Sequence, residues 1–172
     1  MTDHFSIQIF DKNNHNRKDF SCGIESMDNW LKTSVSSQIK HNRIRLWCAV
    51  NDNDEFVGFY ALSSHQVAFD DAQGLAYQEE RYPIPAIYLK AIGVKKTYQE
   101  QGIGTELLVH AILRCITVSE QIGVAAIILN VEKDDNYKKR VVFYQKYGFD
   151  FFRNKDNFMF LSVNDAKSLT TN

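Results

Sequence analysis

A glycine-rich segment in the middle of the chain has the composition of an anion-binding turn. It runs Gln99-Glu100-Gln101-Gly102-Ile103-Gly104, between an apolar stretch and a long amphipathic stretch. Where such a turn opens a helix, the first backbone amides have no partner within the helix and point where an anion can sit. Glycine at positions 102 and 104 removes the Cβ atoms that would keep a phosphate away from those amides.

Two common phosphate-binding motifs do not fit this segment. A dinucleotide-binding fingerprint needs a third glycine at the position that Leu107 occupies. A Walker A loop needs Gly-Lys followed by Ser or Thr, which the segment lacks. The pattern that the segment does carry is Gln-x-x-Gly-x-Gly. Two glycines alone would also fit a helix start that holds no ligand.

The elements that must position this turn follow from hydrophobic periodicity. Residues 86–94 form a short apolar run that suits a central strand, and residues 104–122 carry a helical apolar stripe that ends before Gly123. Residues 125–131 predict a strand buried on both faces, and residues 137–147 predict a helix that ends at Gly148.

The rest of the chain completes an alternating pattern of strands and helices. The remaining predicted elements are a strand at 6–10, a helix at 24–42, a hairpin of strands at 44–50 and 56–69, a closing hairpin at 149–152 and 158–163, and a polar tail. This order predicts one α/β domain over residues 1–172, with a mixed sheet and helices on both faces.

The turn and a later aromatic segment together resemble a known family. Gln-x-x-Gly-x-Gly after a strand resembles motif A of the GNAT acyltransferases, which holds the pyrophosphate of acetyl-CoA. The segment from Val141 to Phe149 resembles the Phe-Tyr-x-x-x-Gly-Phe ending of the same family. There the tyrosine stands near the coenzyme sulfur, which makes Tyr144 the candidate catalytic residue. Taken alone, Tyr144 would be one more core aromatic among eight tyrosines.

The role of Tyr144 follows from the reaction that the resemblance implies. An amine attacks the thioester carbonyl, and the departing thiolate must be protonated. A phenol with a pKa near ~10 is mostly protonated at neutral pH and can donate that proton. We expect Phe143 to pack inward while Tyr144 reaches the cleft.

The resemblance also implies a fold and a set of coenzyme contacts. The GNAT fold has a single mixed, mostly antiparallel twisted sheet with helices on both faces and a splayed central strand pair. Gly93 suits the bulge of the family's strand before motif A, and the Val94 amide is the candidate donor to the thioester oxygen. Asn130 fits pantetheine binding and a strand-end turn equally well. The implied acetyl-CoA-binding residues are Ile92, Gly93, Val94, Gln99, Glu100, Gln101, Gly102, Ile103, Gly104, Thr105 and Asn130.

The N-terminal half resembles a narrower group within this family. The segment from Phe20 to Leu31 is similar to the Phe-x-Cys-Gly-x-x-x-Leu-Asp-x-Trp-Leu opening of GNAT toxins from bacterial toxin–antitoxin modules. Gly58 to Leu62 is similar to their Gly-Tyr-Tyr-x-Leu strand. In those toxins the acceptor is the α-amine of an aminoacyl-tRNA, and a ribbon-helix-helix antitoxin neutralises the enzyme. Related proteins often form homodimers.

Charge and composition leave the acceptor open. The formal net charge is -1, whereas a tRNA binder usually carries a basic surface. Basic clusters at 40–45, 95–96 and 138–140 could supply one locally, although a single cluster of this kind is usually just a solvated face. Arg140 also departs from the small residue that the family carries four positions before its tyrosine. An acetyltransferase for a small-molecule or protein amine, or a non-catalytic acyl-CoA-binding module, stays an alternative.

Cysteine usage and hydropathy predict a cytoplasmic protein. The three cysteines form no Cys-x-x-Cys pair and lie in or beside apolar stretches, as buried free thiols do. No apolar run approaches the ~20 residues that cross a bilayer, and no metal is expected. His65 and Glu132 are candidates for a general base, but an amine can lose its proton to water before attack, so no base is assigned.

Overall fold

The alternating α/β pattern is present in the computed structural model, which describes residues 4–72 and 81–171. The elements are β1 (Phe5–Ile9), α1 (Glu25–Thr33), α2 (Val35–Lys40), β2 (Arg45–Asn51), β3 (Phe56–Val67), β4 (Ile84–Val94), α3 (Ile103–Ser119), β5 (Ala126–Asn130), α4 (Tyr137–Lys146), β6 (Asp150–Phe151), β7 (Phe158–Ser162) and α5 (Val163–Thr170). Short 3₁₀-helices lie at Phe69–Asp71 and Lys96–Tyr98. No helix formed by these described residues is long and apolar enough to cross a membrane.

Seven strands form a mixed sheet in the order β1-β2-β3-β4-β5-β7-β6. The β1–β2, β2–β3, β5–β7 and β6–β7 ladders are antiparallel. The β4–β5 ladder is parallel, and it pairs residues from Ala86↔Ala126 to Leu89↔Leu129. The predicted mixed sheet is therefore confirmed, while the splay of the central pair stays a prediction.

The chain divides into two compact units, of which the first contains the residues up to Ser63 and Lys90–Ala111. In this unit α1 and α3 cover opposite faces of the strands. A Cβ at Gly58 would lie 2.9 Å from Leu107 Cδ1 of α3. The next residue, Phe59, points to the other face because side chains alternate along a strand, and there its ring contacts Trp30 of α1 at 6.3 Å. Helices on both faces are thus confirmed for this unit.

The second unit contains Ser64–Leu89 and the residues from Ile112 onward. Its strand β5 is buried except at Asn130, as the apolar sequence predicts. One apolar cluster joins this strand to the neighbouring elements through Val67, Ala72, Ala86, Ala126, Ile128 and Phe152.

Two predicted segments differ from the structure. The single helix predicted over 24–42 is interrupted at Ser34. There the Ser34 backbone has a φ of −110°, well outside the usual helical value, although its amide still donates to the Trp30 carbonyl at 2.9 Å. The prediction of a polar tail after 163 is also wrong. It overlooked the cap of α5, in which the Ser162 hydroxyl accepts a hydrogen bond from the Asp165 amide at 3.1 Å.

Candidate functional site

The end of β4 leads into the predicted anion-binding turn within the first unit. After the 3₁₀-helix at Lys96–Tyr98, the chain reverses, and α3 begins at Ile103. Glu100 and Gly102 have left-handed backbones, with φ of 63° and 87°. That conformation costs a residue other than glycine roughly 1–2 kcal/mol, so the turn is a strained feature that its surroundings must hold in place.

The amides at the start of α3 are available to an anion. The first helical hydrogen bond runs from the Glu106 amide to the Gly102 carbonyl at 3.1 Å. The amides of Gly102, Ile103 and Gly104 precede that bond and donate none to a group within residues 4–72 and 81–171.

The two glycines of the turn are not required by packing inside the protein. A Cβ at Gly102 would meet nothing within 4 Å. A Cβ at Gly104 would meet only Val94 Cγ2, at an ordinary contact distance of 3.6 Å. An anion approaching the amides would meet those Cβ atoms instead, so the turn fits the diphosphate that the sequence predicts.

The side chains of the two glutamines in the turn hold the turn itself. The Gln99 side-chain nitrogen donates to the Cys22 and Val94 carbonyls, both at 2.9 Å. The Gln101 side-chain nitrogen donates to the Thr97 carbonyl at 3.2 Å. Any contact that these two residues make with a coenzyme would therefore involve other atoms, and this use of the two side chains cannot be read from the sequence.

A polar network before the turn was also missed by the sequence analysis. Glu55, in the β2–β3 connection, accepts hydrogen bonds from Lys95 and Tyr98. Asn51, which is only 6% exposed, donates to the Tyr98 hydroxyl at 3.1 Å and to Glu55 at 3.3 Å. The hydrogen bonds from Lys95 and Tyr98 lower the pKa of Glu55 below its usual range, and the bond from Lys95 has the larger effect. The residues before the turn are thus anchored to the β2–β3 connection.

Strand β4 places its last residues next to the turn. Gly93 is buried, and Ile92 and Val94 are half-buried. A Cβ at Gly93 would lie 3.0 Å from Phe59 Cε1 and 3.2 Å from Met27 Sδ. This close packing accounts for the glycine by itself, and the bulge expected there stays a prediction.

In the second unit, Tyr144 lies on α4 among aromatic rings. Its ring is 5.3 Å from that of Phe143 and 5.8 Å from that of Phe149. The predicted inward packing of Phe143 is wrong, because Phe143 is half-buried, whereas Tyr144, the residue expected to reach the cleft, is only 7% exposed. The Phe149 ring that follows Gly148 is the more buried neighbour and takes the inward position.

Burial sets the protonation state of the Tyr144 hydroxyl. It raises the pKa of Tyr144 to about 12, and the nearby Arg140 cation acts in the opposite direction. The Tyr144 side chain is buried, and no hydrogen bond joins its hydroxyl to another described residue. It is a neutral phenol that can donate a proton at physiological pH.

The remaining candidates in the second unit carry weaker chemistry. Asn130 is exposed and accepts a hydrogen bond from the Asn157 side chain at 2.5 Å, as a strand-end residue does. His65 is exposed with its ring 5.6 Å from that of Tyr88, and Glu132 is exposed. No arrangement around either one marks it as a general base.

Several cations of the basic clusters are bonded within the protein. Lys95 pairs with Glu55, Arg140 forms two hydrogen bonds to Asp134 at 2.7 and 2.9 Å, and Arg45 donates to the Asn42 side chain at 2.9 Å. The cationic side chains of these clusters that are exposed belong to Lys40, Arg43, Arg45, Lys96, Lys138 and Lys139. No group of three or more His, Cys, Asp or Glu within the described part of the chain is arranged to hold a metal ion.

Comparison with known sequences identifies relatives over most of the chain. A model of the acetyltransferase (GNAT) domain family matches residues 42–150. A probable toxin TacT of Sinorhizobium fredii is 31% identical, over 95% of this chain and 93% of the relative. A tRNA-acetylating toxin of Mycobacterium tuberculosis is 31% identical, over 87% of each chain.

Solved structures of the AtaT toxin share the fold. A mutant AtaT bound to the C-terminus of the antitoxin AtaR and to acetyl-CoA has a TM-score of 0.80 at 19% identity, over 98% of this chain and 99% of that one. AtaT complexed with acetyl-methionyl-tRNAfMet has a TM-score of 0.83 at 20% identity, over 98% of this chain and 100% of that one. The predicted GNAT fold is therefore confirmed.

Proposed function

We propose that this chain, which belongs to the GNAT acetyltransferase family, acetylates the α-amine of an aminoacyl-tRNA as the toxin of a toxin–antitoxin module. Family membership makes it an acetyl-CoA-dependent N-acetyltransferase. The observation that carries the choice of acceptor is the 31% identity to a tRNA-acetylating toxin over 87% of each chain. The AtaT complex with acetyl-methionyl-tRNAfMet supports the same substrate class.

The first unit supplies the groups that hold the coenzyme. Acetyl-CoA brings the acetyl group as a thioester, whose sulfur leaves as a thiolate. The free amides of Gly102, Ile103 and Gly104 bind the diphosphate, and the absence of a Cβ at 102 lets it approach. The Val94 amide donates to the thioester oxygen, on which negative charge develops during attack.

The other predicted contacts complete this assignment. Ile92, Gly93 and Asn130 bind the pantetheine arm, in the manner of an added strand. The backbones of Gln99, Glu100, Gln101 and Thr105 complete the wall around the diphosphate.

The second unit supplies the proton donor. Tyr144, whose pKa of about 12 keeps its hydroxyl neutral near neutral pH, protonates the departing thiolate. The attacking nitrogen releases a proton to solvent as the amide forms, and a proton from solvent restores the phenol. A general base is not assigned, since the acceptor amine can lose its proton to water. The amine therefore attacks as the free base, which predicts a rate that rises with pH until the amine is deprotonated.

Two further parts of the proposal concern the cellular setting. The AtaT structure with the C-terminus of AtaR supports an antitoxin as partner, and we infer that it is a ribbon-helix-helix protein. The cytoplasm is the inferred location, because the three cysteines are free thiols and the proposed acceptor is found there.

Transfer of label from acetyl-CoA tests the proposed substrate directly. The protein is incubated with radiolabelled acetyl-CoA and total aminoacyl-tRNA, and the products are separated into RNA, protein and small molecules. We expect the label in RNA and expect its release by mild base, which cleaves the aminoacyl ester. Label in small amines or in proteins would show that the acceptor is not an aminoacyl-tRNA. If no amine caused release of the thiol from acetyl-CoA, the proposed enzyme activity would be contradicted.

A further inference from the structure

The connection between β2 and β3 holds the segment that ends in the coenzyme turn. We propose that Glu55 is a positioning residue for acetyl-CoA: it does not touch the coenzyme, but it fixes the backbone that presents the diphosphate-binding amides. This inference rests on the proposed function of the turn at Gln99–Gly104.

Both oxygens of the Glu55 carboxylate are used on the segment before the turn. One oxygen accepts from the Lys95 ammonium and the other from the Tyr98 hydroxyl. The Asn51 side-chain oxygen accepts from the Glu55 amide at 3.0 Å and so fixes the residue that carries the carboxylate. The cluster therefore links Lys95 and Tyr98, at the two ends of one short segment, to a single point on the β2–β3 connection.

A backbone hydrogen bond adds to these side-chain connections. The strain of the turn explains why the connections matter. The Lys95 amide donates to the Val57 carbonyl at 2.8 Å. Two residues after Tyr98, Glu100 has a φ of 63°, which is unfavourable unless the flanking residues are fixed. Without the carboxylate, the Tyr98 hydroxyl loses the acceptor of its proton and keeps the bond from Asn51, so the segment is held less firmly and Glu100 can relax to an ordinary backbone conformation. The amides of Gly102 and Ile103 would then no longer point to one place.

Because the side chains of this network are partly exposed, we expect their removal to affect the turn more than the global stability of the protein. The side chain of Lys95 is 20% exposed and that of Glu55 is 35% exposed. Ion pairs in contact with water add little to global stability, because solvent screens them. A loss of coenzyme affinity larger than the loss of stability is therefore the signature of positioning, whereas a purely structural residue would lower the stability alone.

Binding of acetyl-CoA to variants of the full chain measures this signature. For Glu55→Ala we expect the Kd from calorimetry to rise about tenfold, which is about 1.4 kcal/mol. Glu55→Gln keeps an acceptor for Tyr98 and should raise Kd only about threefold. The melting temperature should fall by no more than about 3 °C, and kcat at saturating acetyl-CoA should stay within about twofold of that of the wild type. Glu120→Gln, in the exposed turn that follows α3, is the matched control and should change nothing.

A second variant tests whether Glu55 acts through Tyr98. Tyr98→Phe removes one of the two donors and should weaken binding by itself, but it should add little in the Glu55→Ala background. Full additivity of the two changes would overturn the proposed route. A wild-type Kd in the Glu55→Ala variant would overturn the inference and leave the proposed function in place. If the wild-type protein does not bind acetyl-CoA, the proposed function fails first and the inference fails with it.

Discussion

Replacing Gly102 by alanine separates the stability of the coenzyme turn from its binding function. The new Cβ would meet nothing within 4 Å in the protein, so no packing clash contributes. The remaining cost is the left-handed backbone, with φ of 87°, at roughly 1–2 kcal/mol. For a chain of 172 residues, we expect the melting temperature to fall by about 3–6 °C.

The same methyl group has a larger effect on the bound coenzyme. It stands where the diphosphate must approach the amides of Gly102 and Ile103. Hydrogen bonds to a charged group contribute about 1.5–3 kcal/mol, so losing the equivalent of one should weaken acetyl-CoA binding roughly 10- to 150-fold. Calorimetric titration with acetyl-CoA and a thermal melt of the same sample measure both effects.

Gly123→Ala supplies the control for this comparison. A Cβ there also meets nothing within 4 Å, but the backbone is not left-handed, so neither stability nor binding should fall. The reasoning is refuted if Gly102→Ala melts a few degrees lower, as expected, and still binds acetyl-CoA with the wild-type Kd. In that case, the amides at the start of α3 do not hold the diphosphate.

Four further predictions test other parts of the molecule. Tyr144→Phe should keep acetyl-CoA binding and lower kcat about 100-fold or more, whereas Tyr147→Phe on the same segment should keep full turnover; equal rates for the two would remove Tyr144 from the mechanism. Because the pKa of Tyr144 is about 12, the wild-type rate, corrected for hydrolysis of the aminoacyl ester in base, should show no decline on the alkaline side below about pH 10, and an earlier decline would contradict this assignment. Gly58→Ala should lower the free energy of unfolding by about 1–3 kcal/mol, because its Cβ would lie 2.9 Å from Leu107 Cδ1; a denaturant melt checks this value. Burial raises the pKa of the Cys22 thiol to about 11, so the folded protein should react with a thiol reagent at pH 8 far more slowly than the urea-unfolded chain, and similar rates would show that this thiol is not protected.

The parts of the fold that the sequence could predict are those with a strong period. The apolar run at 125–131 and the stripe at 104–122 became β5 and α3 within a few residues at each end. The helix α5 was missed because its signal is short: a serine cap and three apolar residues in eight, next to a polar C-terminus. The interruption at Ser34 was missed because hydroxyl side chains can either join a helix or compete with it, and the sequence does not show which occurs.

The candidate site was predictable at the level of backbone, and less so at the level of side chains. The glycines at 102 and 104 marked the turn, because their effect depends only on a missing Cβ. The use of Gln99 could not be predicted, since its nitrogen bonds two carbonyls, one of them Cys22 far away in the chain. Glu55 was overlooked for the same reason: its partners, Lys95 and Tyr98, are some forty positions later.

Glycines occupy the motif positions of this chain for two different physical reasons. At Gly58 and Gly93, a Cβ would meet protein atoms at 2.9 and 3.0 Å, so substitution must act on folding. A Cβ at Gly102 would meet no protein atom within 4 Å, and a Cβ at Gly104 would lie 3.6 Å from the nearest one. Substitution there would therefore affect mainly the strained backbone at Gly102 and the approach of a ligand. All four glycines fall within the segments that resemble the family. The atom that a new Cβ would meet therefore separates the glycines that packing requires from those that we propose to serve acetyl-CoA.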